Sequence, residues 1–399
     1  MTEVFNRKIV IAANELSTGG LGSYLVTLAT GLKTRGWDVH LLSTNTRGDL
    51  FDRMKKSIEC HDLSGQVLSK KKIFMAAELV NNISPDILLI NNCSLMHYTL
   101  PLIRSKTKPI AVLHSDDKRF YKTASLFKKR IFRWIAPTRG VAETCKTYLG
   151  PARRKKVRTI PHGINEKIFY RRDKEETKVS GNICFVGFIA ENKGADLLPD
   201  IFNRVSKKYE DARLTVVGYG PLEQTLRSRC EANANLHKCI FTGAVDHAKV
   251  AEILNNSDIL VLPTRIEGFG LSIVEAMMSG AVPVVSRIKG VTDEIVSDGI
   301  TGLLIEPGDT GGFADAIASL LKNPEKLISM SEAARETAVS RYSTEKMLDA
   351  YEKLFAEEDD RVTMPCRSTI GWVTETIGEK VKKGIGRRWL LNRAKGIWK

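Results

Sequence analysis

Short apolar runs recur along this chain with helix-like stretches between them, and the pattern runs through twice. Lys8–Ala12, Val39–Ser43, Ile87–Asn91, Ile110–His114, Ile131–Pro137 and Val157–Ile160 each read as a strand buried on both faces. A polar, charged break follows at residues 166–181 (EKIFYRRDKEETKVSG). The pattern then restarts with Ile183–Gly187, Leu214–Gly218, Ile240–Phe241, Ile259–Leu262, Val282–Ser286 and Gly302–Ile305. Helices fit the gaps, among them Ser23–Arg35, Ala248–Asn255 and Gly312–Leu321. Strands that alternate with helices imply a parallel sheet covered on both faces, here twice. The expected organisation is a first α/β domain over 1–165, a linker over 166–181, a second α/β domain over 182–345, a closing helix within 346–360 and a tail over 361–399. A ligand cleft is expected between the two domains.

Two loops at strand ends carry glycines. The first strand runs into Gly19, Gly20 and Gly22 (STGGLGSY), and a helix follows. The other loop is the most informative segment of the chain, EGFGLSIVEAMMSG. Glu267 stands before a helix that opens near Leu271, and Glu275 stands one to two turns inside it. Amides at a helix start are a ready anion site. Two acids so spaced can hold two hydroxylated parts of one extended ligand, such as a sugar and a ribose. An ordinary strand–loop–helix unit with one solvated and one helix-face Glu gives the same letters. Gly218-Tyr219-Gly220 lacks the third glycine of a dinucleotide fingerprint, which argues against an NAD enzyme.

Charge narrows the partner. The chain has 399 residues and a formal net charge of +15, which points to an anionic partner. Residues 361–399 hold ten Lys or Arg against two Glu, about half of that excess. In this tail Ile370, Val373, Ile377, Val381, Ile385 and Trp389 recur at helical spacing with basic residues elsewhere on the wheel. That pattern suits a basic amphipathic helix on an anionic membrane surface, or a helix packed on the protein body. Lys118–Trp134 (KRFYKTASLFKKRIFRW) is a second basic stretch with interleaved aromatics. No nucleic-acid motif accompanies the charge, so no nucleic-acid partner is expected. The opening residues lack the long apolar region of a signal peptide, and no apolar run is long enough to span a membrane. Seven scattered cysteines fit reduced thiols, with no CxxC pair, and seven histidines show no HxxxH spacing. No structural metal is expected from those spacings.

Several motifs stand in a consistent order: STGGLGSY, IPHGIN (160–165), FVGFIAENKG (185–194), LTVVGYGPL (214–222), VLPTRIEGFGLSIVEAMMSGAVPVVS (261–286) and DGITGLLIEPGD (298–309). Over about residues 8–357 the set resembles the retaining glycosyltransferases of family 4, often called group 1. The resemblance implies a GT-B fold, two Rossmann-like domains facing each other across a cleft. It implies transfer of a sugar from a nucleoside-diphosphate donor, with no cofactor and no metal. The leaving diphosphate takes the proton of the incoming hydroxyl, so no carboxylate nucleophile is needed. Glu267 then contacts hydroxyls of the donor sugar and Glu275 holds the ribose. The amides of Gly268, Phe269, Gly270 and Leu271 face the sugar and diphosphate, and Lys193 of ENKG meets the diphosphate. His114 contacts the donor sugar near the reacting carbon. Gly19, Gly20 and Gly22 approach the diphosphate or the acceptor, and Gly218 and Gly220 lie near the base. A plain tight turn, a buried histidine or a surface lysine would explain these last residues one at a time.

The chain departs from the family pattern at one place. Relatives carry an arginine five positions before the lysine, and here that position is Phe188. Arg139, Arg265 and Arg287 are the candidates to supply the missing charge. The acceptor is expected to be a lipid-linked molecule or a polysaccharide in surface polysaccharide or lipopolysaccharide synthesis. The enzyme is then cytoplasmic and peripheral on the inner face of the membrane. A nucleotide-sugar epimerase and a non-catalytic membrane partner are the competing readings, the latter resting on Phe188.

Overall fold

The computed structural model of the chain describes residues 7–65, 68–170, 179–231, 238–359 and 361. Two compact units emerge. One comprises residues 1–136, 144–158 and 352–399, the other 137–143 and 159–351. The basic tail, apart from Arg361, and half of the expected linker, residues 171–178, lie outside the described residues. Among the described residues no helix is long and apolar enough to cross a membrane.

The first unit holds a sheet of seven strands: β1 Lys8–Ala13, β2 Asp38–Ser43, β3 Glu59–Asp62, β4 Ile87–Asn91, β5 Lys108–Val112, β6 Arg133–Ala136 and β7 Val157–Thr159. Their order across the sheet is β3-β2-β1-β4-β5-β6-β7, with parallel pairing throughout the registered pairs. Apolar residues on both faces of β1 and β4 are fully buried, because helices cover both sides. The second unit repeats the plan with β8 Asn182–Val186, β9 Arg213–Val217, β10 Cys239–Gly243, β11 Ile259–Leu262, β12 Val282–Ser286 and β13 Leu303–Ile305, in the order β10-β9-β8-β11-β12-β13.

Strand β3 is the element that periodicity missed. Its sequence, Glu-Cys-His-Asp, is half-exposed and carries no apolar run, since an edge strand pairs on one side only. Helix Gly20–Thr34 starts three residues earlier than expected, within the glycine-rich loop itself. The expected closing helix is Thr344–Phe355. Its last residues belong to the first unit, where Glu352 accepts from Arg35 (2.7 Å) and Trp37 (2.8 Å). Glu357 there takes Arg133 and Arg158, and Arg361 donates to the carbonyls of Thr107 (2.9 Å) and Arg130 (3.1 Å).

The stretch Lys118–Trp134 divides on folding. Tyr121, Phe132 and Trp134 are buried core, and the Trp134 ring nitrogen donates to the Ala124 carbonyl. These three aromatics are therefore unavailable to a membrane. What remains outward is Lys118, Arg119, Lys122 and Lys129, with Phe120 and Phe127 half-buried.

Candidate active site

A parallel sheet has a natural crevice where its strand order reverses, because the loops on either side leave toward opposite faces. In the second unit that point lies between β8 and β11. The loop after β8 carries Lys193 and the loop after β11 carries Glu267. The Lys193 ammonium donates to Glu267 Oε2 at 2.6 Å, so two residues 74 apart in sequence form one ion pair at the reversal. Both are largely covered, with side chains 24% and 9% exposed.

Local chemistry explains the approach. Gly194 has φ +67°, and a Cβ there would lie 1.8 Å from the Pro263 carbonyl oxygen. Only glycine lets the Lys193 loop settle against the end of β11. The buried Thr264 hydroxyl lies within reach of the Asn192 carbonyl (3.0 Å) and the Ile266 carbonyl (2.9 Å), tying the two loops together. Arg265 braces the same corner through a two-pronged pair with Asp196 at 2.6 and 2.8 Å.

Gly270, at φ +96°, caps helix Leu271–Ser279 and turns the chain into it. The first amides of such a helix have no partner inside it. The Gly268 amide differs, since it donates to the Glu267 carboxylate itself (3.1 Å). Phe269 turns its ring inward, buried against His162 (5.0 Å between centroids) and Tyr342 (5.7 Å). The Gly268 carbonyl accepts from the buried Thr138 hydroxyl at 3.0 Å. Of the four loop residues, then, Gly270 and Leu271 supply the open helix start, whereas Gly268 and the Phe269 side chain hold the loop in place.

Helix Leu271–Ser279 is buried from Ile273 to Ser279, as an all-apolar core helix should be. Glu275 breaks the rule. It is 6% exposed, and among the described residues no hydrogen bond or ion pair reaches its carboxylate. Burial pushes its carboxyl up to about 7. A buried, unpartnered carboxylate is costly unless something completes it. Hydroxyl groups of a ligand would do so.

Gly218 and Gly220 stand in the loop after β9. The Gly218 amide donates to the Gly243 carbonyl (3.0 Å), and Ile189 donates to the Tyr219 carbonyl (2.8 Å). The Tyr219 ring, 51% exposed, meets Phe188, 44% exposed, edge to face at 5.4 Å. An aromatic pair therefore occupies the corner where the resemblance led to the expectation of a cation. None of the three arginines considered as its replacement is unengaged: Arg265 pairs with Asp196, Arg287 with Asp298 and Glu306, and Arg139 with Glu294. Glu294 also accepts from the Arg139 amide at 2.8 Å, so it anchors the 137–143 segment.

The first unit reverses its strand order between β1 and β4. His114 stands just past β5, and its Nε2 lies 2.9 Å from Asn91 Oδ1 at the end of β4. The Asn91 amide nitrogen donates to the Ala12 carbonyl (3.3 Å), which fixes its oxygen toward the imidazole and places the ring hydrogen on Nε2. The His114 ring meets Tyr24 edge-on at 4.8 Å. Burial pushes its basicity down to about 3, so the ring is neutral near pH 7. Asn92 next door has φ +44°, unusual for a non-glycine residue. Gly19 precedes helix Gly20–Thr34, Gly20 and Gly22 form its first turn, and the Gly19 carbonyl accepts from the Ser23 amide (2.9 Å). Asn91, Asn92 and Thr138 had no motif to announce them, and the one signal available was their place at strand ends; Tyr24 and Thr264 lay inside quoted motifs without being singled out.

Comparison with known proteins bears on the family and the fold. Residues 166–337 match the family model for glycosyl transferases group 1, and residues 18–167 match that for glycosyltransferase family 4. The N-acetyl-alpha-D-glucosaminyl L-malate synthase of Bacillus anthracis is 26% identical over 382 residues, covering 86% of this chain and 96% of that protein. The phosphatidyl-myo-inositol mannosyltransferase of Mycobacterium leprae is 32% identical over 187 residues, 46% of this chain and 49% of that one. Among solved structures, Anabaena HepE in complex with UDP-glucose superimposes with a TM-score of 0.74 at 16% identity, covering 87% of this chain and 98% of that one. Two parallel α/β sheets, matched family models over both units and a shared fold lead to one conclusion: the chain belongs to the group 1, or family 4, glycosyltransferases of GT-B fold.

Proposed function

We propose that this glycosyltransferase is a retaining, metal-independent enzyme that moves a sugar from a nucleoside-diphosphate donor to a hydroxyl of a lipid-linked or glycan acceptor. The observation that carries the donor reading is Glu275, a buried carboxylate with no hydrogen-bond or ion-pair partner among the described residues, one turn behind an open helix start. A ribose offers two adjacent hydroxyls of the right chemistry. The diphosphate then meets the helix amides and Lys193, which together neutralise the departing oxygens. Glu267 orients the sugar hydroxyls, and its pairing with Lys193 sets both groups before the donor arrives.

In the reaction the bond from the anomeric carbon to the phosphate oxygen breaks. The acceptor oxygen bonds to that carbon on the same face, and its proton passes to the departing diphosphate. His114, neutral and fixed by Asn91, serves as a hydrogen-bonding partner for a sugar hydroxyl rather than as an acid. HepE has been solved with UDP-glucose, and the Mycobacterium leprae relative is named for a phosphatidylinositol acceptor. Those names support a nucleotide-sugar donor and a membrane lipid acceptor here. The remaining outward lysines of 118–129 and the 361–399 tail would hold the enzyme at the inner face of the membrane, in surface polysaccharide or lipopolysaccharide assembly.

A panel of UDP-, GDP- and ADP-sugars, measured for binding and slow hydrolysis, tests the donor reading. One donor should bind the wild type and be lost in Glu275→Ala. Proton NMR of the released or transferred sugar should show the donor's anomeric configuration, and turnover should survive a chelator. Absence of binding by every donor in folded protein with anionic vesicles present would favour a non-catalytic partner instead. Cosedimentation with such vesicles should fall on deleting 362–399, a cut that spares the Arg361 contacts.

A further inference from the structure

The first unit gathers a second set of chemistry-bearing side chains on its edge strands. Asp38 and His40 stand two apart on β2, as Glu59 and His61 do on β3. The register sets His40 beside Glu59, so strand alternation puts all four on one face of the sheet. His40 Nδ1 lies 3.0 Å from His61 Nε2. The Glu59 carboxylate spans the pair, with Oε2 3.6 Å from His40 Nδ1 and Oε1 3.6 Å from His61 Nε2. A divalent zinc-class ion bonds imidazole nitrogen and carboxylate oxygen at about 2.0–2.2 Å. Ligand atoms at such lengths, roughly 90–120° apart around one ion, stand about 3.0–3.6 Å from each other. The ring-to-ring separation and the distance from each ring to its nearer carboxylate oxygen fall in that window, and one ligand atom from each of the three residues lies within 4.8 Å of the others.

The surroundings also suit a cation. His40 is 6% exposed, and its far nitrogen, Nε2, is buried without a hydrogen bond and faces Asp38 Oδ1 at 3.4 Å. A carboxylate behind an imidazole holds the hydrogen on the far nitrogen and leaves the near one as a ligand. Asp38 is itself steadied by Lys8 at 3.4 Å. Entry is open, since the Glu59 side chain is 65% exposed and His61 borders a cavity of about 610 Å³ with Arg47, Cys60 and Asp62.

We propose that His40, Glu59 and His61 form a binding site for a first-row divalent transition ion, zinc being the reference case. Two imidazoles and one carboxylate favour such an ion over magnesium or calcium, which take oxygen. Without the ion the two rings share one hydrogen, their centroids 5.3 Å apart and their planes 19° apart. On binding, both rings turn slightly and the hydrogen on His61 Nε2 moves through solvent to Nδ1. The ion then braces edge strand β3 against β2. Lys193, Glu267 and Glu275 all belong to the other unit, so this site stands or falls independently of the donor reading.

The test is zinc titration of the untagged full chain after chelator treatment, read by calorimetry and by thermal unfolding, with cobalt absorption as the spectroscopic check. One equivalent should bind and raise the unfolding midpoint, and cobalt should give d–d bands without a thiolate charge-transfer band. Asp38→Asn should weaken binding about tenfold, and His61→Gln by about a hundredfold or more. His61→Gln and Glu59→Gln lie at the accessible edge, so their metal-free midpoints should match the wild type. The proposal is overturned if folded wild type binds no zinc. It is equally overturned if those variants bind as tightly as wild type, or if cobalt reports thiolate ligands.

Discussion

Both sheets reverse their strand order beside their first strand, yet the side chains gathered at the two reversals differ in charge. In the second unit the reversal holds the Lys193–Glu267 ion pair, an open helix start and a buried carboxylate. In the first unit it holds a neutral histidine, two asparagines and a tyrosine edge. Repeating a scaffold does not repeat its chemistry, because the strands fix where loops emerge and the loops alone choose the groups. On the proposed reading, formal charge is concentrated where a diphosphate would be held and released. Neutral donors and acceptors suit the sorting of hydroxyls, which differ by hydrogen-bond direction rather than by charge.

The sharpest way to break this contrast is to remove the cation. Lys193→Ala should lower kcat by roughly 10²–10³-fold, the usual scale for a lost transition-state stabiliser. It should also leave the covered Glu267 without its cation and with the Gly268 amide as its remaining described partner, costing about 1–3 kcal/mol of stability. The double variant Lys193→Met with Glu267→Gln separates the two effects. Its unfolding midpoint should recover while its turnover does not. Recovery of turnover as well would mean that the pair is only a structural brace.

Glu275 comes next, and pH reads it. Its folded carboxyl, near 7, lies above the usual 4.5, so the fold disfavours its ionised form. Stability is therefore unaffected below about 4.5, declines as pH rises from there to about 7, and stays reduced above. The full span is about 3 kcal/mol by linkage. Glu275→Gln should remove that decline and unfold at a higher temperature than wild type at pH 8. Its donor affinity should fall roughly 10–100-fold, as expected when a charged hydrogen-bond partner is lost. In the wild type, nucleotide affinity should climb with pH up to about 7 and then level, because ribose hydroxyls complete the ionised form. A variant that gains no stability at pH 8 would show that the carboxylate already has a partner.

Much of this arrangement was legible in the sequence because it follows from apolar runs. The central strands, such as β1, β4, β11 and β12, declared themselves by apolar runs buried on both faces, and the other strands apart from β3 by shorter apolar runs. Glu267, Glu275 and Lys193 stood in recognisable motifs, but their mutual geometry did not. Nothing local says that Lys193 meets Glu267, since that contact depends on Gly194 fitting under Pro263, 69 residues away. The same limit hid the His40–Glu59–His61 cluster, whose members sit on two strands in register rather than at a motif spacing. The basic-aromatic stretch 118–134 misled for the opposite reason. Composition cannot separate a ring on a surface from one in a core, and Tyr121, Phe132 and Trp134 are core.

His114 tests the neutral side of the comparison. His114→Ala should lower kcat/KM about tenfold through one lost hydrogen bond, with stability little changed. Because burial holds the ring near 3, wild type and variant should share one pH profile between 5 and 8. A limb that vanishes with His114 would assign it a charged role and erase the contrast between the units.

The smallest effect asks whether the second site owes its precision to its loop. Thr138 is buried and donates to the Gly268 carbonyl at 3.0 Å, so it restrains the turn between Glu267 and the helix start. Valine keeps its shape and removes only the hydroxyl. Thr138→Val should raise KM for the donor about threefold, the lower range of one hydrogen bond, and leave kcat within about twofold. That split would mean that loop placement matters mainly for capturing the donor, with Lys193 and Glu267 set by their own pairing. A fall in kcat as large as that of Lys193→Ala, at unchanged stability, would instead make the Gly268 turn part of the transition-state geometry. The charged site would then depend on backbone position as much as on charge.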